Sequence, residues 1–500
     1  MEMRDHYFMF LDGGWRDSRE GRTFDVENPA TGGRIASVTE ALPEDVDDAV
    51  QAGSRAFASG RWAGMRGRDR ARVLQRAADL LADRLDDLAR LETLQIGRPY
   101  REMRSQLRRT PEWLEYFGAI AQTIEGSLPD FGGEHLNYVV REPLGVAGLV
   151  TPWNHPLLIT MKKLSAALAA GNSVVIKPSE LAPVTPLLLA ELLQEAGLPE
   201  GVLNVVPGFG SVTGKALTEH PGLGRIDVTG GTETGRLVAA AAGRNLTPVT
   251  AELGGKAPVL IFNDVEPKRG AAGAAFSAFV AAGQTCIQGA RVLIHQDILD
   301  PVMESLVGRA ASLRVGDPFD AATQLGPLAS AAALERVSGM VDRARDEGGR
   351  ILCGGRRAQG PGVDEGYFYE ATVITDVTPD MEIWREEVFG PVTVIVPFRT
   401  EDEAVALAND TPYGLAAAIW TESVSRAHRV ARRLDVGVIW INDHHRIDPA
   451  SPWGGTKASG LDRENGFEAY RSYTQTKSVI VNTSDEFFDW YATDEELRYS

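Results

Sequence analysis

The sequence predicts an α/β protein of more than one domain, with helices covering largely parallel sheets and a small β-rich part set apart from them. Three observations carry that prediction. The chain's 500 residues exceed what a single hydrophobic core usually serves. From residue 144 onward, short apolar runs of strand length alternate with longer helical stretches, the sequence form of a parallel sheet with helices on its faces. Glycines and polar residues gather where those runs end, and in such sheets ligands bind beyond the carboxyl ends of the strands.

The elements follow in order. Between Arg68 and Ile96, Val73, Leu74, Ala77, Leu80, Leu81, Leu85, Leu88 and Leu91 recur at helical spacing among Arg and Asp, a stripe that belongs to core packing. Strands are expected over 146–150, 173–176, 202–206, 226–228 and 249–251, with helices over 157–170, 185–196, 212–219 and 234–244. A second α/β region runs from about Lys256 to Thr456. Residues 135–141 and 476–481 alternate as strands and flank these regions. The acidic tail over 485–500 carries Phe487, Phe488, Trp490 and Tyr491, which are expected to pack on a neighbouring subunit. The expected division is 1–122 with 143–253, then 254–456, with 123–142 and 470–500 as flanking strands and tail.

Composition narrows the function. A formal net charge of −18 argues against nucleic acid, which demands clustered positive charge. The first residues are charged where a secretory signal needs an apolar stretch, and later apolar runs are too short to span a bilayer. No membrane partner is expected. Two cysteines imply no disulfide framework, and a reducing cytoplasm suits a free thiol. No metal site is expected.

Two clusters carry chemistry. Cys286 ends Gly283-Gln284-Thr285-Cys286, a short polar turn after a small-residue helix; Glu252 opens Glu252-Leu253-Gly254-Gly255-Lys256, a carboxylate beside two glycines. A thiol and a carboxylate are the minimum for covalent catalysis at a carbonyl: sulfur attacks, and the carboxylate later activates water to release the acyl group. A lone cysteine is more often an inert buried residue, so the surrounding motifs decide.

Those motifs are Thr151-Pro152-Trp153-Asn154-His155-Pro156, Lys177-Pro178-Ser179-Glu180, Pro207-Gly208-Phe209-Gly210, Thr229-Gly230-Gly231-Thr232-Glu233-Thr234-Gly235 and Glu386-Glu387-Val388-Phe389-Gly390-Pro391. In this order and spacing, from about Asp12 to Asn482, the chain resembles the aldehyde dehydrogenase superfamily. The resemblance implies a Rossmann-like NAD-binding domain, an α/β catalytic domain and a small β oligomerisation domain, in a homodimer or homotetramer. It implies Cys286 as nucleophile, Glu252 as hydrolytic base, and Asn154 as oxyanion donor together with the Cys286 backbone N–H. Lys163 and Glu464 match a proton path from Glu252. Glu252 also points away from the CoA-acylating branch, which lacks this carboxylate.

For the cofactor, the resemblance implies Pro152, Trp153, Lys177, Ser179, Glu180, Gly210, Gly214, Gly230, Gly231, Leu253, Glu387 and Phe389. Lys177 and Glu180 fall on the adenosine ribose, and the Glu180 carboxylate repels a 2′-phosphate, so NAD is favoured over NADP. Gly230 and Gly235 place backbone N–H groups at a helix N-terminus for the pyrophosphate. Gly231 stands where many relatives have Ser, and Asp462 where many have Gly. His155, Lys162, Arg446 and Trp453 match positions near the aldehyde tunnel, and Lys162 replaces a frequent Trp. Basic groups there suggest a semialdehyde bearing a carboxylate. Trp453 leaves a neutral aromatic or aliphatic aldehyde open.

Overall fold

The computed structural model describes residues 3–123, 125–485 and 491. Phe487, Phe488 and Trp490 of the aromatic tail lie outside the described residues. Two large sheets organise the rest.

In the first, five parallel strands lie in the order Val249–Glu252, Arg225–Thr229, Val146–Thr151, Ser173–Pro178, Leu203–Val205. The chain starts in the middle, at Val146–Thr151, moves outward to one side, then returns and builds the other. That reversal leaves a crevice at the carboxyl ends of Val146–Thr151 and Arg225–Thr229, where open α/β sheets bind ligands. Each strand is extended by one or more residues relative to the sequence expectation except Leu203–Val205, which is shorter. An antiparallel hairpin, Met9–Leu11 with Gly14–Arg16, completes one edge, and Gly460–Leu461 completes the other.

Helix Pro156–Ala170 is buried at every position, including Lys162 and Lys163. Two lysines on a helix with no wet face require internal counter-charges. The amphipathic stripe forms two helices, Gly67–Asp83 and Leu85–Ile96, broken at Arg84. Leu74, Ala77, Leu81, Leu88 and Leu91 bury that stripe against the first sheet's helices. The helix expected over 212–219 opens as a π-helical turn, Gly210–Gly214, before Lys215–Thr218.

The second sheet runs Arg350–Cys353, Thr372–Thr375, Val392–Phe398, Gly289–His295, Ala257–Ile261, Ala416–Trp420, Val438–Ile441, parallel throughout except the first pair. Glu252 ends the first sheet's last parallel strand and Ala257 begins the second sheet. The Glu252–Lys256 segment is therefore the direct link between the two. Apart from both, His135–Pro143 pairs with Thr474–Asn482 in a ribbon that leaves Leu136, Ile480 and Val481 exposed.

Candidate active site

Cys286 follows helix Pro267–Phe279 and a tight turn, Val280–Gly283, in which Ala281, Ala282 and Gly283 all take left-handed φ (56°, 52° and 68°). Two non-glycine residues in that region are strained, and such strain persists only where the surroundings hold it. Glu102 Oε2 accepts from the Ala281 N–H at 3.2 Å. Asn154 Nδ2 donates to the Gln284 carbonyl at 3.0 Å, and Gln284 Oε1 accepts from the Ala329 N–H at 2.9 Å. Asn154 is thus tied to the backbone two residues before Cys286. One of its two amide hydrogens is used there, leaving the other for a ligand.

Gly254 and Gly255 are required by close approach. A Cβ on Gly255 would stand 2.2 Å from the Cys286 carbonyl oxygen, and one on Gly254 would stand 2.5 Å from Glu387 Oε2. Glu387 accepts from the Gly255 N–H at 2.9 Å. Burial pushes the Glu387 carboxyl up to about 7. Burial, with Glu387 next, pushes the Cys286 thiol up to about 12.

Glu252 is buried, and neither carboxyl oxygen has a hydrogen-bond partner among the described residues. Such orphaned groups are rare and ask for a functional explanation. Burial raises this carboxyl well above the usual range, and the Glu464 carboxylate raises it further. Behind it lies an internal ion network. Lys162 Nζ pairs with Glu464 Oε2 at 2.5 Å. Lys163 Nζ donates to Glu464 Oε1 and, at 2.5 Å, to Asp227 Oδ1. The Tyr473 hydroxyl donates to Asp227 Oδ2 at 2.6 Å. Burial opposes ionisation of Glu464, but the two lysines hold it down at about 2. Asp227 and Tyr473 were not visible as site residues in the sequence; a lone Asp inside a strand otherwise reading as buried was the available signal. Asp462 takes a left-handed φ of 67° and accepts from Arg225 at 2.6 Å and Thr250 at 2.8 Å.

An inner cavity of about 70 Å³ is lined by Cys286, Glu252, His155, Lys162, Trp453 and Glu464, among others. Lys162 Nζ lies over the Trp453 ring, 4.8 Å from its centroid. An outer vestibule of about 590 Å³ contains Arg446. The sequence reading put Lys162 and Arg446 together as charges for a substrate carboxylate, and the structure separates them. Arg446 is exposed outside the inner cavity and paired with Asp443 at 3.0 Å; Lys162 is neutralised by Glu464. Arg98 and Gln106, which sequence reasoning did not single out, stand in these walls beside Thr285 and His445.

On the other side of Cys286 lies the crevice of the first sheet. Trp153 and Phe389 meet edge to face, ring centroids 5.5 Å apart. Pro152 lies in the loop that follows Val146–Thr151. Lys177 is buried at the end of its strand and pairs with Glu180 at 3.1 Å. Ser179 Oγ accepts from the Leu181 N–H at 3.3 Å. Gly210 and Gly231 face open space, while Gly214 packs along the Lys177 side chain. Gly231 caps the thirteen-residue helix Thr232–Arg244, whose first N–H groups follow Gly230 at the strand end. This open, glycine-floored groove at a helix N-terminus fits a dinucleotide pyrophosphate. Gly235 has another purpose: a Cβ there would stand 2.4 Å from Leu253 Cδ2, so it admits Leu253 against the helix.

The fold and site are those of an α/β oxidoreductase. The family model described as "Aldehyde dehydrogenase family" matches residues 15–479. The Bacillus subtilis protein DhaS is 41% identical over 478 residues, covering 95% of this chain and 96% of that one. An NAD+ complex of aldehyde dehydrogenase from Bacillus cereus is 39% identical with a TM-score of 0.94, covering 96% of this chain and 98% of that one. Betaine aldehyde dehydrogenase from Staphylococcus aureus, also solved with NAD+, is 36% identical with a TM-score of 0.95, covering 97% and 96%. The chain belongs to the aldehyde dehydrogenase family.

Proposed function

We propose that this protein oxidises an aldehyde to a carboxylic acid with NAD, through a thiohemiacetal and then a thioester on Cys286. The observation that carries the reading is the inner cavity lined by both Cys286 and the unpaired Glu252. The Cys286 thiol adds to the aldehyde carbonyl: sulfur bonds to carbon, and the thiol proton passes to the carbonyl oxygen and is released to water when the thioester forms. The free amide hydrogen of Asn154 with the Cys286 N–H meets that oxygen as it gains charge. Bound NAD supplies the hydride acceptor. Glu252 then takes a proton from water, the resulting hydroxide attacks the thioester carbon, and the Cys286 thiolate leaves. Glu464, Lys163 and Asp227 give that proton a route away from the tunnel.

Lys177, Glu180, Glu387, the Trp153–Phe389 pair and the Gly230–Gly231 turn hold the cofactor in this reading. The Glu180 carboxylate disfavours a 2′-phosphate, so kcat/KM is expected to be higher for NAD than NADP. Glu180→Ser should narrow that ratio roughly tenfold. A parent that prefers NADP would overturn the assignment.

Lys162 is paired with Glu464, and Arg446 lies outside the inner cavity against Asp443, so neither stands as a free cation beside Cys286, which supports a neutral substrate over a carboxylate-bearing semialdehyde. Exposed apolar side chains along the two-stranded ribbon support a homodimer or homotetramer. NADH formation over a panel of aldehydes, with and without CoA, tests the reaction. The expected product is the free acid at a CoA-independent rate, and a CoA-dependent acyl product would overturn hydrolysis by Glu252.

A further inference from the structure

Among the polar side chains that line the inner cavity, His155 carries a hydrogen-bonding group whose direction can be deduced. Arg98, itself buried, lies with Nη1 2.8 Å from His155 Nδ1. A guanidinium only donates, so His155 Nδ1 must accept. Gln106 also touches Nδ1, through Nε2 at 2.8 Å and Oε1 at 3.2 Å, but an amide can donate or accept and decides nothing alone. With Nδ1 unprotonated, the neutral ring carries its hydrogen on Nε2. That Nε2–H is directed to the Thr285 side of the cavity, 3.4 Å from Thr285 Oγ1, one residue before the nucleophile. Burial, followed by the Arg98 and Lys162 charges, keeps this imidazole neutral by driving its pKa well below the ordinary value.

A second polar group stands nearby. His445 lines the same inner cavity, and its Nε2 is buried without a hydrogen-bond partner among the described residues. Its Nδ1 is 2.6 Å from His444 Nδ1, so one ring donates and the other accepts. A wholly hydrocarbon substrate would leave the His445 nitrogen facing carbon and the His155 N–H with only its long contact to Thr285 Oγ1. A buried polar group without a partner penalises the ligand that leaves it so.

We propose that His155 is a specificity-determining residue: its Nε2–H donates to an acceptor oxygen, such as a hydroxyl, close to the aldehyde carbon. Arg98 is a positioning residue that fixes the tautomer. The preferred substrates are then short oxygenated aldehydes rather than their hydrocarbon counterparts. The inference rests on the aldehyde oxidation proposed above and adds its substrate class.

The test uses two matched pairs, glycolaldehyde with propanal and 3-hydroxypropanal with butanal, in which a hydroxyl replaces a methyl group. The measured quantity is the hydroxyl-to-methyl ratio of kcat/KM. In at least one pair the parent should favour the hydroxyl substrate, and His155→Phe should lower that ratio about tenfold or more. An aromatic ring of similar width keeps the wall filled, so the change reads the lost N–H. Arg98→Met should lower the ratio about threefold, because Gln106 alone permits both tautomers, and Arg98→Lys should restore it because an ammonium also only donates. A ratio unchanged by His155→Phe in both pairs, or lost equally in Arg98→Lys and Arg98→Met, overturns the proposal. Turnover of propanal and butanal by the parent tests the oxidation itself, so a failure of the reaction is told apart from a failure of the selectivity.

Discussion

Cys286→Ala is expected to lower NAD-linked aldehyde oxidation by at least about four orders of magnitude, the loss typical of removing a covalent nucleophile. NAD affinity, followed by quenching of protein fluorescence, should stay within about threefold, because the groove at Gly210, Gly231, Lys177 and Glu180 does not depend on the sulfur. Comparable activity in the variant would remove Cys286 from the chemistry. Cys353 supplies the control. It lies on the edge strand Arg350–Cys353 of the second sheet, with Sγ 3.7 Å from the Ala371 carbonyl, and Cys353→Ala should oxidise aldehydes at close to the parental rate. The thiol's environment adds a pH signature. Burial first, then the Glu387 carboxyl, pushes Cys286 up to about 12, so the free enzyme holds a neutral thiol at pH 7. Alkylation by iodoacetamide should therefore be slow at neutral pH and climb about tenfold per pH unit below that value. A rate that levels off near pH 7 would mean the thiolate forms more readily than this burial allows.

The parts of this site that were legible in the sequence are those written in contiguous residues. Apolar runs of strand length followed by Gly or Pro located the parallel strands, since a strand buried on both faces must be apolar throughout. The Glu252 cluster was legible because two close approaches, to the Cys286 carbonyl and to Glu387, exclude any Cβ at positions 255 and 254. What remained hidden depends on contacts between distant segments. Lys162 read as a tunnel cation because nothing nearby in sequence balances it, yet Glu464 arrives from the far end of the chain to do so. Arg98 lies in a turn with no periodic signal, and only folding brings its guanidinium onto His155. The hairpin Met9–Leu11 with Gly14–Arg16 has three-residue strands, too short to show alternation. Asp227 was a polar residue in a buried strand, and its partners Lys163 and Tyr473 explain it only once they are in contact.

Glu252→Gln separates the two halves of the reaction. The amide keeps the shape of the side chain but cannot take a proton from water, so acylation proceeds and release of the acid stalls. The expected trace is a burst of about one NADH per active site followed by a steady state lowered about a thousandfold, within the range general-base catalysis contributes. The pH dependence follows from the same residue. Burial raises the Glu252 carboxyl well above its ordinary range, and the Glu464 carboxylate, kept ionised by Lys162 and Lys163, raises it further. A base works only in its deprotonated form. Deacylation by the parent should therefore be slow in acid and rise as the pH climbs through that elevated pKa, whereas the residual rate in Glu252→Gln should lack this rise. Glu464→Gln makes the sign checkable: removing a neighbouring negative charge favours ionisation of Glu252, while leaving Lys162 and Lys163 short of a counter-charge favours it further. The rise in deacylation should move to lower pH in that variant. A shift to higher pH, or a Glu252→Gln enzyme that turns over at the parental rate, would show that some other group activates the water.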